Sequence, residues 1–131
     1  MVEDTLCADR LACVQGPSDP PLWSLTLGEI LLERAKQFDQ KPAIIFPWQG
    51  VQLSFTELAQ QSKQVAVSLL HAGIHPGDCV GVIAGNRYEY LEIVAGGALI
   101  GCRVLVLNNT YRPLELHDAL RRTGNVLRLW L

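Results

Sequence analysis

Cationic groups are scarce in this chain, no cysteines sit at redox or zinc spacing, and no apolar run is of membrane length. Eleven Lys and Arg against thirteen Asp and Glu leave a formal charge of −2. The electrostatic footprint of a nucleic-acid or anionic-lipid binder is therefore missing, and no nucleic-acid partner is expected. Cys7, Cys13, Cys79 and Cys102 form no Cys-x-x-Cys pair, and the last two stand in apolar stretches where a thiol behaves as a small hydrophobe. Neither zinc nor a disulfide framework is expected. Met1-Val2-Glu3-Asp4 carries acids where a secretory or mitochondrial presequence carries Lys or Arg, and no apolar stretch of signal length follows. An intracellular, reducing compartment is expected, cytoplasmic by default. The longest uncharged apolar run, Ile93 to Cys102, is about ten residues, roughly half of what a helix needs to cross a bilayer. No membrane span is expected.

What is there describes a globular chain. Hydrophobic residues make up 49% and charged residues 18% of 131 positions, and surface scaling lets a chain of this size bury about two-thirds of its unfolded surface. Residues 1–24 read as a loosely ordered lead-in, because Gly16-Pro17-Ser18-Asp19-Pro20-Pro21 propagates neither helix nor sheet. Residues 25–131 read as one partial domain. Thr26 and Glu29 form a Thr-x-x-Glu capping box, with Leu25 and Ile30 spaced as a hydrophobic staple, and the apolar period then holds to Phe38. Ala43–Phe46 and Val51–Ser54 flank Pro47-Trp48-Gln49-Gly50 as a hairpin with a four-residue loop. Ser54 and Glu57 make a second capping box, and the helix it opens runs to Gly73.

A strand–helix repeat follows. Cys79–Ala84 is a continuous apolar strand of the kind buried on both faces of a parallel sheet. Asn86 is placed to cap the next helix, with Glu89 three residues on, and that helix is expected to run to about Gly101. Arg103–Leu107 is another strand, Pro113 opens a last helix closed by Gly124, and Val126–Leu131 is a final strand. This order implies an α/β fold: an incomplete open parallel sheet with flanking helices plus a short β-hairpin. The final strand has no helix after it, and alternation would aim Val126, Arg128 and Trp130 at one face. The chain therefore reads as the beginning of a larger domain.

Chemistry-bearing patterns are weak. Gly85-Asn86-Arg87 follows a strand and opens a helix, but Gly81-x-x-x-Gly85 is neither Gly-x-Gly-x-x-Gly nor a P-loop, so a structural cap is the simpler reading. Gly96-Gly97-Ala98-Leu99-Ile100-Gly101 falls within a predicted helix, where small residues permit close packing. His71 and His75 have metal spacing on a helix, yet Gly73 between them and Pro76 after them break that geometry. His117 and Asp118 are adjacent helical positions, which point apart and do not pair. No metal site and no catalytic residue is assigned. Asn108-Asn109-Thr110-Tyr111-Arg112-Pro113 and Gly85-Asn86-Arg87-Tyr88 end successive strands, and loops at that sheet edge are where open α/β folds place ligands. The bland reading, that Asn and Thr only turn the chain there, outweighs it.

Together several stretches resemble the N-terminal region of acyl-CoA synthetases, in the adenylate-forming (AMP-binding) ligase superfamily. They are Lys41-Pro42-Ala43-Ile44-Ile45, Leu53-Ser54-Phe55-Thr56-Glu57-Leu58, Gly73-Ile74-x-Pro76-Gly77-Asp78-x-Val80-Gly81-Val82, Gly85-Asn86-Arg87-x-Glu89-Tyr90, Ala98-x-Ile100-Gly101 and Leu107-Asn108-x-Thr110-Tyr111-x-Pro113-x-Glu115-Leu116. The resemblance implies a parent reaction in which ATP adenylates a carboxylic or fatty acid and coenzyme A takes the acyl group, with Mg2+ balancing the phosphates. It also implies a Ser/Thr/Gly-rich phosphate loop ending in Lys-Gly and a lysine in a mobile C-terminal domain. Neither occurs here, since Lys36, Lys41 and Lys63 lie in no glycine-rich loop. The expectation is an N-terminal fragment of such an enzyme, inactive alone, with no cofactor of its own and its partner the missing C-terminal portion of its domain. A peroxisomal address for the parent is compatible with the resemblance. Two rivals stay open at this point: a small complete nucleotide-binding domain of Rossmann or flavodoxin type, and a non-catalytic protein-interaction module.

Overall fold

The structure is a computed structural model that describes residues 16–123 and 126–130, with side chains described over 16–123. Helix α1, Leu27–Phe38, starts where the Thr26 hydroxyl accepts the Glu29 N–H at 3.3 Å and the Glu29 carboxylate accepts the Thr26 N–H at 2.8 Å. Helix α2, Phe55–His71, starts the same way: Ser54 accepts from the Glu57 N–H at 3.2 Å, and Glu57 accepts from the Ser54 N–H at 2.8 Å. Both boxes occupy donors a helix start leaves orphaned, and those hydrogen bonds hold the Glu29 and Glu57 carboxyls below their ordinary range.

Strands β1 (Pro42–Phe46) and β2 (Val51–Ser54) pair antiparallel around a 3-10 turn, Pro47–Gln49, closed by Gly50 at φ 65°. A side chain is disfavoured at that left-handed backbone, which is why glycine ends the turn. A second sheet holds β3 (Cys79–Ile83), β4 (Arg103–Leu107) and β5 (Val126–Trp130), all parallel, in the order β4-β3-β5. Central β3 has both neighbours, and its Val80 and Val82 are fully buried with Leu69, Ile74 and Ile93 around them. Helix α3, Glu89–Leu99, links β3 to β4, and helix α4, Pro113–Arg122, follows β4 without burying any residue.

The glycines of α3 pack as the sequence suggests. A Cβ on Gly96 would lie 2.8 Å from Val65 and 2.9 Å from the Ser62 carbonyl of α2, and one on Gly97 would lie 2.6 Å from Val104 of β4. Gly28 of α1 meets the Ala98 carbonyl at 3.0 Å by the same measure. Three elements thus approach α3 at backbone distance through missing side chains.

Two details differ from expectation. Asn86 does not cap α3: the N-cap is Tyr88, which makes no side-chain cap bond, and the Tyr88 N–H that an Asn86 cap would serve is taken by a residue from the distant hairpin turn. Gly101 lies outside the helix at φ 71°, where it turns the chain into β4 after Ile100. The final strand forms over Val126–Trp130, but the facing of its side chains, Arg128 included, falls outside the described residues, as does the expected closing role of Gly124.

Candidate functional site

The loops after β3 and β4 meet at the carboxyl edge of the parallel sheet. Ala84, Gly85 and Asn86 from one, with Leu107, Asn108 and Asn109 from the other, border a recess of about 230 Å³. Tyr90 reaches it from α3, with its hydroxyl buried and without a partner among the described residues and its phenol pushed up by burial. The Asn108 carboxamide accepts from the Thr110 N–H at 3.0 Å and the Thr110 hydroxyl at 2.9 Å, which closes the loop into an Asx turn. Asn108 and Thr110 thus turn the chain here.

The first loop is held by the β1–β2 turn. Trp48 Nε1–H donates to the Asn86 carbonyl at 3.2 Å. The Gln49 side chain accepts the Tyr88 N–H at 2.9 Å through Oε1 and donates to Glu89 at 3.1 Å through Nε2. Arg87 lies against the same carboxylate at 2.7 Å, and these bonds draw Glu89 down to about 2 from an ordinary value of 4.5. Sequence reasoning missed this latch. Its partners are 38 to 40 positions apart, and a glutamine in a hairpin turn carries no local signal of where it points.

The two loops come together only in part. Arg87 is committed to Glu89, and Tyr88 turns instead to a groove between α2 and α3. The residues at this edge do not fit an ATP polyphosphate. The first turn of α3 carries Glu89, a carboxylate held ionised where a phosphate site needs bare N–H groups. The recess is also smaller than the roughly 300–1,000 Å³ usual for a ligand pocket.

The histidines make no metal centre. His71 ends α2, Gly73 turns at φ 83°, and His75 stands 3.8 Å from Asp78 in solvent. Among the described residues no group of three metal-ligating side chains occurs. His117 and Asp118, expected not to meet, lie 3.8 Å apart. Both are exposed, so their flexible ends lean together at a range where water screens the pair. Cys79 is buried, and Cys102, half-buried, donates to the His75 carbonyl at 3.3 Å while burial pushes its thiol up. Among the described residues no helix is long and apolar enough to cross a membrane.

Fold and edge together define an open α/β unit with its strand-end loops at one edge and no phosphate cradle among the described residues. The AMP-binding enzyme family matches residues 31–129, and the chain belongs to that family. It is 40% identical over 115 residues to the acyl-CoA ligase cnsG of Penicillium expansum, covering 88% of this chain and 24% of the relative. The mitochondrial medium-chain acyl-CoA ligase ACSF2 of Mus musculus is 30% identical over 114 residues, covering 87% of this chain and 18% of that protein. The fold matches a Mycobacterium tuberculosis fatty acyl CoA synthetase with a TM-score of 0.77 at 22% identity, over 80% of this chain and 21% of that one. The N-terminal domain of FACL13 from the same organism also matches at 0.77, over 80% and 26%. The chain thus corresponds to about a fifth to a quarter of the proteins it resembles, as a fragment of an acyl-CoA-ligase-like enzyme does. This displaces the reading as a Rossmann- or flavodoxin-type domain.

Proposed function

We propose that this chain supplies the N-terminal scaffold of an acyl-CoA ligase and performs no ligation by itself, with residues 25–131 acting as its folded unit. The parent reaction would join a carboxylic acid to ATP, release pyrophosphate, and pass the acyl group to the thiol of coenzyme A, with Mg2+ balancing phosphate charge. The observation that carries the proposal is a pairing. Acyl-CoA ligases are up to about 40% identical to this chain, yet its 131 residues hold no Ser/Thr/Gly-rich loop ending in Lys-Gly. Lys36 lies in α1, Lys41 before β1 and Lys63 in α2, and none borders the strand-end recess. Backbone amides and a lysine aimed at phosphate are what that chemistry requires. The role left to this segment is to present the latched β3–α3 loop and the Asx-turned β4–α4 loop to the remaining polypeptide.

A chimera tests the reading. Residues 31–129 replace the matching segment of the Penicillium expansum ligase, and thioester formation is followed with a panel of fatty acids. Retained acyl-CoA formation is expected. A soluble chimera with native circular dichroism that forms no thioester overturns the proposal.

A further inference from the structure

The groove between α2 and α3 encloses about 680 Å³, well inside the range of small-molecule sites. Val65, Leu69, Ile74 and Ile93 make its floor, and Gln64 and Ser68 stand on its α2 side. Glu92 lines it from α3. The residue is only 9% exposed, and its Oε1 has no partner among the described residues. That oxygen has given up water without receiving a donor or a counter-charge among the described residues.

No described residue around the groove makes up the loss. Ser68 spends its hydroxyl on the Gln64 carbonyl at 2.9 Å. Among the described residues no Lys, Arg or His borders the groove; α2 presents only glutamines and Ser68 as polar groups, and Tyr88 is the other titratable lining residue. The charged group that does act on Glu92 is Glu89, one turn earlier on α3 and of like sign. Burial and this repulsion both push the Glu92 carboxyl up. The groove is apolar below and anionic at one wall, and the terminal torsion of a glutamate is soft enough to turn either oxygen inward.

We propose that this groove binds a small amphiphilic primary ammonium compound, its alkyl or aryl body on the Val65–Leu69–Ile74–Ile93 floor and its ammonium on Glu92. Once the carboxylate turns Oε1 toward the groove, the ammonium supplies what both that oxygen and the groove lack among the described residues, a donor and a positive charge. Its body covers apolar surface that a free metal cation or a hydrated ion leaves wet.

The test is calorimetric titration of the 131-residue chain with phenethylammonium chloride, using phenethyl alcohol as the neutral analogue and phenylacetate as the anionic one. Saturable one-to-one binding of the ammonium is expected. The alcohol and phenylacetate should each bind at least about tenfold more weakly, the scale of one charge-assisted hydrogen bond. Glu92→Gln keeps the shape of the groove and should lose about the same factor. A second measurement needs no variant. Near about pH 5, where a raised carboxyl is still partly protonated, ammonium binding should release protons, seen as a heat that changes with buffer ionisation enthalpy. Equal affinity for alcohol and ammonium, undiminished binding by folded Glu92→Gln, no proton release, or no saturable ammonium binding would each overturn the proposal.

Discussion

Replacing Gln49 by Ala removes the side chain that joins the hairpin to the β3–α3 loop. Two bonds go at once: the one accepted from the Tyr88 N–H at 2.9 Å and the one donated to Glu89 at 3.1 Å. A neutral hydrogen bond is worth roughly 0.5–1.5 kcal/mol and one to a charged group roughly 1.5–3 kcal/mol. Arg87 still holds Glu89 at 2.7 Å and solvent reaches both ends in part, so the combined loss should be about 1–3 kcal/mol. Urea unfolding of the full chain reads this as a lower midpoint at unchanged slope. Amide exchange at Tyr88 should accelerate, because its N–H loses its acceptor. Glu89 adds a pH signature. Its carboxyl sits at about 2 in the fold against an ordinary 4.5, so the stability it contributes is complete above pH 4.5 and is lost as the pH falls toward about 2. In Gln49→Ala the carboxyl should titrate higher, though still below its ordinary value, because Arg87 is the larger cause. A midpoint shift worth less than about 0.3 kcal/mol, with Tyr88 exchange unchanged, would refute the reasoning.

Glu92→Gln should stabilise the chain at neutral pH. Its carboxyl is raised in the fold, so wild-type stability falls as the pH climbs from 4.5 through that elevated value. The variant should flatten this part of a stability–pH profile, and an unchanged profile would contradict the burial argument. Gly96→Ala gains up to about 1 kcal/mol of helix propensity. Its Cβ would nevertheless sit 2.8 Å from Val65 and 2.9 Å from a backbone oxygen, and overpacking of that kind costs about 1–3 kcal/mol. A net loss in thermal stability is expected, whereas a gain would mean that α2 and α3 separate more easily than their contact suggests.

How much was legible depended on how local the cause was. Both capping boxes are complete within four residues, so α1 and α2 could be read to their first turns. The apolar runs of β3 and β4 and the small residues of α3 announce burial without needing a named partner, and the parallel sheet followed from their order. The start of α3 was misread because Asn86 offered a plausible local cap, while the acceptor in use sits on Gln49, 39 positions earlier. Glu92 was hidden for a related reason. An acid beside Ile93 in an amphipathic helix reads as a solvated edge, and only the approach of α2 at Gly96 encloses it. At the strand-end edge, the order of elements placed the two loops side by side but could not tell that Arg87 is tied to Glu89.

The most direct measurement of the account is ATP–pyrophosphate exchange by the purified 131-residue chain with Mg2+, fatty acids of several lengths and coenzyme A. The account predicts exchange no greater than that of heat-inactivated protein. Fatty-acid-dependent exchange above that level would contradict it, because phosphate would then be held by residues that do not resemble a phosphate site.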